Sequence, residues 1–217
     1  MKVTNEEIDQ LPLSQYEGEI SLIDKPELVL PAINEMRQCK ALGFDTETRP
    51  AFTRGTNYKV ALLQLSSENK TWLFRTCVIG LPEPLARFLE DDTIVKPGLA
   101  IRDDLKGLRK WRQFNPGGFV DMQTIAAARG INDLSLKKMA AHVLGVRVSK
   151  RQRLTNWESA TLTAGQMTYA ATDSWISLLL WKAVVEQGIT DSAYLAELRA
   201  KGPQPTAPTD NNNPEKD

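Results

Sequence analysis

Histidine is almost missing from this sequence, cysteine is scarce, and neither sign of charge predominates. The one histidine, His142, lies between Ala141 and Val143 in an apolar helical stretch and reads as structural. Cys39 and Cys77 are far apart and outside any metal-like spacing, which leaves no cysteine-based metal motif. They read as two reduced thiols, the first on a helix and the second near a strand end, and a cytoplasmic location is expected. Lys+Arg and Asp+Glu number 27 each, so the formal net charge is zero. Overall basicity therefore gives no pointer to nucleic acid, and any such binding needs local patches. No apolar stretch approaches the ~18 residues of a membrane span, and no apolar run follows a basic start at the N-terminus. A membrane partner and a signal peptide are thus not expected.

What is present is an alternation of strand and helix signals over 217 residues, 41% of them hydrophobic. That length suits one domain with a developed core. Residues 1–200 are expected to form it, and residues 201–217, rich in proline and asparagine, are read as a disordered tail. Strands are expected at Gly18–Asp24, Ala41–Glu47, Val60–Leu65, Thr71–Phe74, Thr93–Leu99 and Phe119–Asp121. The apolar run beginning at Val60 implies a strand covered on both faces. Helices are expected around Val29–Met36, where Pro31 implies a late start or a bend, and at Leu81–Leu89, Ile101–Trp111, Thr124–Arg129 and Ser192–Arg199. Ser135 caps a further helix that Gly145 ends. Thr163 and Gln166 stand in capping-box spacing ahead of a long helix reaching about Val185. This order gives an α/β or α+β fold with one mixed sheet.

Three groups of residues carry chemistry. In Gly43-Phe-Asp-Thr-Glu-Thr, Asp45 and Glu47 project from the same face of a strand, roughly 6.6 Å apart along it. Such a pair repels itself unless a cation intervenes, and oxygen ligands of this kind suit magnesium or manganese. In Ile101-Arg-Asp-Asp-Leu, Asp104 shares the inward helix face with Ile101 and Leu108, where an acid needs a partner. Asp103 is turned away and reads as a first-turn acid favoured by the helix dipole. In Tyr169-Ala-Ala-Thr-Asp173, the tyrosine and the aspartate project side by side. Taken singly, each group also reads as ordinary surface or amphipathic-helix chemistry.

Taken in order, the three groups resemble the DEDD exonucleases in their tyrosine-bearing subclass. The resemblance runs over roughly residues 18–186. It includes Val60-Ala-Leu-Leu-Gln-Leu, Leu134-Ser-Leu-Lys-Lys and Asn156-Trp157-Glu158, which look like ribonuclease D and the Werner-type exonuclease domain. It implies a ribonuclease H-like α/β fold, with a central mixed β-sheet flanked by α-helices. It also implies 3′-to-5′ hydrolysis of DNA or RNA by a two-metal-ion mechanism, with Mg2+ or Mn2+ on Asp45, Glu47, Asp104 and Asp173. Tyr169 would orient the attacking water, since an ordinary tyrosine with a pKa of about 10 is a poor base at neutral pH. The alternative is a nucleic-acid-binding scaffold on a degenerate nuclease fold, which would lack at least one acid.

The surroundings are read in that light. Arg147, Lys150, Arg151 and Arg153 suit phosphate contacts, though alone they would read as a solubilising loop. Phe52 is assigned to stacking on a terminal base, with a core position as the rival. Trp157 is read as a packing anchor and Asp121 as a helix cap. Ribonuclease D carries further nucleic-acid-binding domains and the Werner type a helicase. Here the nuclease surface itself, or a protein partner, is expected to set substrate choice.

Overall fold

A computed structural model describes residues 2–53 and 55–201; the low-complexity tail read from the sequence lies outside the described residues, apart from its first residue. In chain order the elements are α1 (Asn5–Gln10), β1 (Glu19–Ile23), α2 (Val29–Met36), β2 (Gly43–Thr48), β3 (Val60–Ser66), β4 (Lys70–Phe74), α3 (Thr76–Ile79), α4 (Glu83–Glu90), β5 (Lys96–Gly98), α5 (Ile101–Arg109), β6 (Phe119–Asp121), α6 (Met122–Ala128), α7 (Leu136–Met139), α8 (Ala164–Trp181) and α9 (Ala193–Lys201). Single π-helical turns extend α7 through Leu144 and α8 through Glu186.

The four-stranded sheet runs β1-β4-β3-β2, with β1 parallel to β4 and the other pairs antiparallel. The four-stranded sheet is thus mixed, and an isolated parallel bridge between Ala41 and Val95 brings the separate parallel pair β5–β6 alongside β2. Every residue of β3 is buried, as the apolar run that begins at Val60 implies. On one face lies a core of α2, α4 and α5 side chains around Phe44, Leu63, Leu65 and Phe74. On the other, α8 crosses β2 and β3 and carries buried residues along its whole length. A small hydroxyl cluster fastens it there, with Ser66 Oγ 2.6 Å from Ser174 Oγ and 2.7 Å from Thr71 Oγ1.

Helix and sheet can meet this closely because β2 opens with glycine. A Cβ at Gly43 would collide with the carbonyl oxygen of Ser174 on α8. The α8 start is set by its capping box: Thr163 accepts from Gln166 N–H while the Gln166 side chain accepts from Thr163 N–H.

Several expectations need correction. Cys39 lies in the loop after α2, because that helix ends at Met36. The fifth strand is shorter than Thr93–Leu99, because the Asp91 carboxylate accepts from Thr93 N–H and Oγ1–H and turns the chain there. The α2 helix starts at Val29 after a 3-10 turn, so Pro31 falls in a first turn that needs no donor from it. Helix α1 was not anticipated; Thr4 and Glu7 form a capping box that spans only six residues with one buried apolar side chain, Ile8.

Candidate active site

The acids meet where β2 leaves the sheet. Asp45 pairs with Gln64 and Glu47 with Leu62, after which the register slips, so that a bulge sits directly after the second acid. A bulge ends the ladder and re-aims the side chains beside it. From the face opposite, α8 brings in Asp173, and a carboxylate oxygen from each of Asp45, Glu47 and Asp173 lies within 4.8 Å of the other two. Asp173 is nearly fully buried and the strand acids are half-buried.

Three carboxylates this close, this shielded from water, cannot all hold their charge unaided. Burial raises the Asp45 carboxyl well above its ordinary range, and Asp173, Glu47 and Asp104 push it further. Burial, then the Asp173 and Asp104 charges, lift Glu47 to about 9. Burial lifts Asp173 to about 7, against a hydrogen bond from Tyr169 and the charge of Lys150. The Tyr169 hydroxyl is itself pushed far up, first by burial and then by Asp173 and Glu47, so it stays protonated and donates. Behind it Trp157 is fully buried, with ring centroids 6.0 Å apart, so the packing-anchor reading of Trp157 holds. The donor set is all carboxylate oxygen, half-shielded and short of positive charge, which fits a hard divalent cation.

Asp104 stands apart from that trio. It projects from α5 and accepts the hydroxyl of Thr46, the residue between the two strand acids. Burial raises its carboxyl to about 6. Its helix begins at Ala100, which has a left-handed φ of 53° rare for a residue with a side chain. The Asp121 carboxylate accepts from Ala100 N–H at 3.2 Å and from Gln123 N–H at 2.9 Å. The cap read for Asp121 therefore serves α6 and secures the start of the Asp104 helix.

A cavity of about 310 Å³ opens beside the acids, lined by Asp45, Tyr169 and Asp173 on one side and by Gln123, Ser135 and Lys137 elsewhere. Lys150 and Arg153 also line it, and their charges act on Asp173 and Glu47 respectively. Arg151 is exposed and does not line it. Arg147 is turned elsewhere, its Nε donating to the Leu11 carbonyl at 2.9 Å. Phe52 is 83% exposed, which rules out the core position. It borders a second cavity of about 250 Å³ together with Arg49, Tyr58, Leu154 and Asn156.

The family model described as 3′-5′ exonuclease matches residues 20–188, a span that contains all four acids and the tyrosine. The chain belongs to the 3′-5′ exonuclease family. Among its relatives, the mouse bifunctional 3′-5′ exonuclease/ATP-dependent helicase WRN is 31% identical over 159 residues, covering 70% of this chain and 11% of that protein. Among solved structures, Escherichia coli RNase D is 26% identical with a TM-score of 0.67, over 84% of this chain and 49% of that one. The Trypanosoma brucei RNase D complex with RNA U12 superposes with a TM-score of 0.70 at 19% identity, over 85% of this chain and 68% of that one. The chain has the ribonuclease H-like fold of these neighbours. The alignments span between 11 and 40% of the length of the first curated relatives, so they concern the nuclease domain of larger proteins.

Gln64 belongs to the Val60-Ala-Leu-Leu-Gln-Leu stretch but carries no chemistry in the sequence motifs. It faces Asp45 across the β2–β3 ladder, is fully buried, and neither amide atom has a hydrogen-bond partner among the described residues. Its only signal in the sequence is an amide at the centre of an apolar strand. His142 is buried on the π-turn after α7, its Nε2 3.8 Å from Asp191, and takes no part in the acidic site.

Proposed function

We propose that this exonuclease hydrolyses the terminal phosphodiester bond at 3′ ends of nucleic acid, with two divalent cations, Mg2+ or Mn2+, held by Asp45, Glu47, Asp173 and Asp104. The observation that carries the reading is the trio of shielded carboxylates, whose raised pKa values mark a site short of positive charge. When bound, the cations supply Lewis-acid stabilisation of the phosphate and a lowered pKa for a water beside it.

The chain's own residues do the rest. Asp104, whose charge already acts on Asp45, completes the set by releasing the Thr46 hydroxyl. Tyr169 keeps its proton, and its hydroxyl hydrogen-bonds the attacking water and fixes its direction. Lys150 and Arg153 border the same cavity and hold the backbone phosphates that lead into it, with Arg151 contributing from the exposed side. Phe52 offers an exposed ring for a base of the incoming strand.

Matched DNA and RNA oligonucleotides labelled at the 5′ end test the reading. Ladders that shorten from the 3′ end with Mg2+ or Mn2+, and stop with a chelator, are expected; relative rates on the two sugars give the preference. Internal cuts, or release of phosphate from a small monoester alone, would refute it.

A further inference from the structure

The segment ahead of β1 is tied to both walls of the acidic cavity, and most of it lies outside the stretch that carries the family likeness, residues 20–188. Residues 11–14 run beside Arg147. Arg147 N–H donates to the Pro12 carbonyl and Ser14 N–H to the Arg147 carbonyl, each at 2.9 Å. The Arg147 Nε adds its bond to Leu11. Two residues further on, Tyr16 N–H donates to Thr172 Oγ1 at 3.0 Å, next to Asp173, and its ring meets Trp175 edge to face at 5.8 Å.

This strap is itself well anchored. Val3 N–H donates to the Asp133 carboxylate at 2.6 Å, Glu7 pairs with Arg199 at 2.8 Å, and Ile8 and Leu11 are buried with Ala141. In the segment beyond Arg147 only Val148 is anchored, buried among core side chains of α6, α7 and α8; the cations that follow it are not. Lys150, Arg151 and Arg153 are exposed, and among the described residues none of the three has a side-chain ion pair or hydrogen bond. The Lys150 and Arg153 charges act on Asp173 and Glu47, but no bond at either head fixes where it points, which leaves that to the root of the segment.

Resting on the exonuclease reading above, we infer that Arg147 is a positioning residue. It docks the root of the 148–153 segment onto the N-terminal strap, and so sets where Lys150 and Arg153 meet the phosphates beside the acids. Its guanidinium is engaged by Leu11 rather than by the substrate.

Two variants test this in the full chain. Arg147→Ala removes the side-chain dock. Ser14→Pro removes the Ser14 N–H bond to Arg147 and leaves every basic residue in place. Both are expected to raise KM for a single-stranded oligonucleotide about 5-fold with kcat within about 2-fold. Both should also flatten the dependence of log KM on log salt by about one unit, because phosphate contacts are lost. Amide exchange of residues 149–153, which needs no activity, should quicken about 10-fold in each. An effect of Arg147→Ala without one from Ser14→Pro would make Arg147 a direct phosphate contact and overturn the inference. A fall in melting temperature with KM, salt slope and exchange unchanged would overturn it as well, by reducing the strap to a stabiliser. A wild-type chain that shortens no oligonucleotide would sink the exonuclease reading, and the exchange measurement alone would then decide the strap.

Discussion

Lys96 and the acids Asp45, Glu47 and Asp173 are all ionisable groups withdrawn from water, and the fold treats them in opposite ways. The Lys96 ammonium donates to the carbonyls of Asp91, Ile94 and Gly117 at 2.5, 2.9 and 2.9 Å. It also lies 5.5 Å from the Phe88 ring centre and 5.3 Å from that of Phe119. Burial lowers its pKa to about 8, yet three donors meet three acceptors, and nothing there awaits a ligand. The acids, by contrast, face one another, and the cations nearest them, Lys150 and Arg153, sit on an exposed segment. A buried charge whose bonds are all made closes a structure. Buried like charges held together by strand and helix suit a positive partner.

The sharpest way to break this contrast is to neutralise one acid. Asp45→Asn and Asp173→Asn are each expected to lower metal-dependent oligonucleotide shortening at least about 100-fold; either variant keeping a tenth of wild-type rate would undo the assignment. The same change should help the metal-free fold. A carboxyl whose folded pKa is raised favours the folded state below the ordinary carboxyl range, near pH 4, and that contribution is lost as pH rises through the folded value. For Asp173 that value is about 7. Wild-type stability in chelator should therefore fall between about pH 4 and 7, and Asp173→Asn should flatten the fall. Denaturant midpoints across that window measure it, and a wild-type midpoint that climbs with pH would contradict the account.

Lys96→Met tests the other side. It strands three buried carbonyls and should cost about 3 kcal/mol of stability, with activity per folded molecule unchanged. A denaturant midpoint like that of wild type would mean that the ammonium bonds contribute little. The smallest expected effect is Tyr169→Phe, which removes an orienting donor and spares every carboxylate. A fall in kcat of about 10-fold is expected, and wild-type kcat would remove Tyr169 from the mechanism.

The contrast also marks what could be read from the chain. Asp45 with Glu47 is legible because a strand has a period of two, and Tyr169 with Asp173 because a helix stacks every fourth residue. The capping box of Thr163 and Gln166 is local too, so the start of α8 was accessible. Asp104 was placed on the correct helix face, but its bond to Thr46 joins residues 58 apart and has no local signature. Lys96 gives none either: a lysine between valine and proline reads as surface until Gly117 returns beside it. Arg147 reads as one of four similar cations, and what separates it from Lys150 is its bonding to residues 11–14, more than 130 positions away. Sequence distance, more than chemistry, decided which roles stayed hidden.

Gly43 bears on the acids without touching them. Because it lacks a side chain, the strand that carries Asp45 and Glu47 rests on the helix that carries Asp173 with main chain against main chain. The separation of the strand and the helix that carry the three acids is therefore gauged by backbone thickness. A single methyl at this position would act as a shim, widening the jaw without changing any of the acids themselves. The geometry of the acidic site is thus fixed two residues ahead of its first acid, by an atom that is not there.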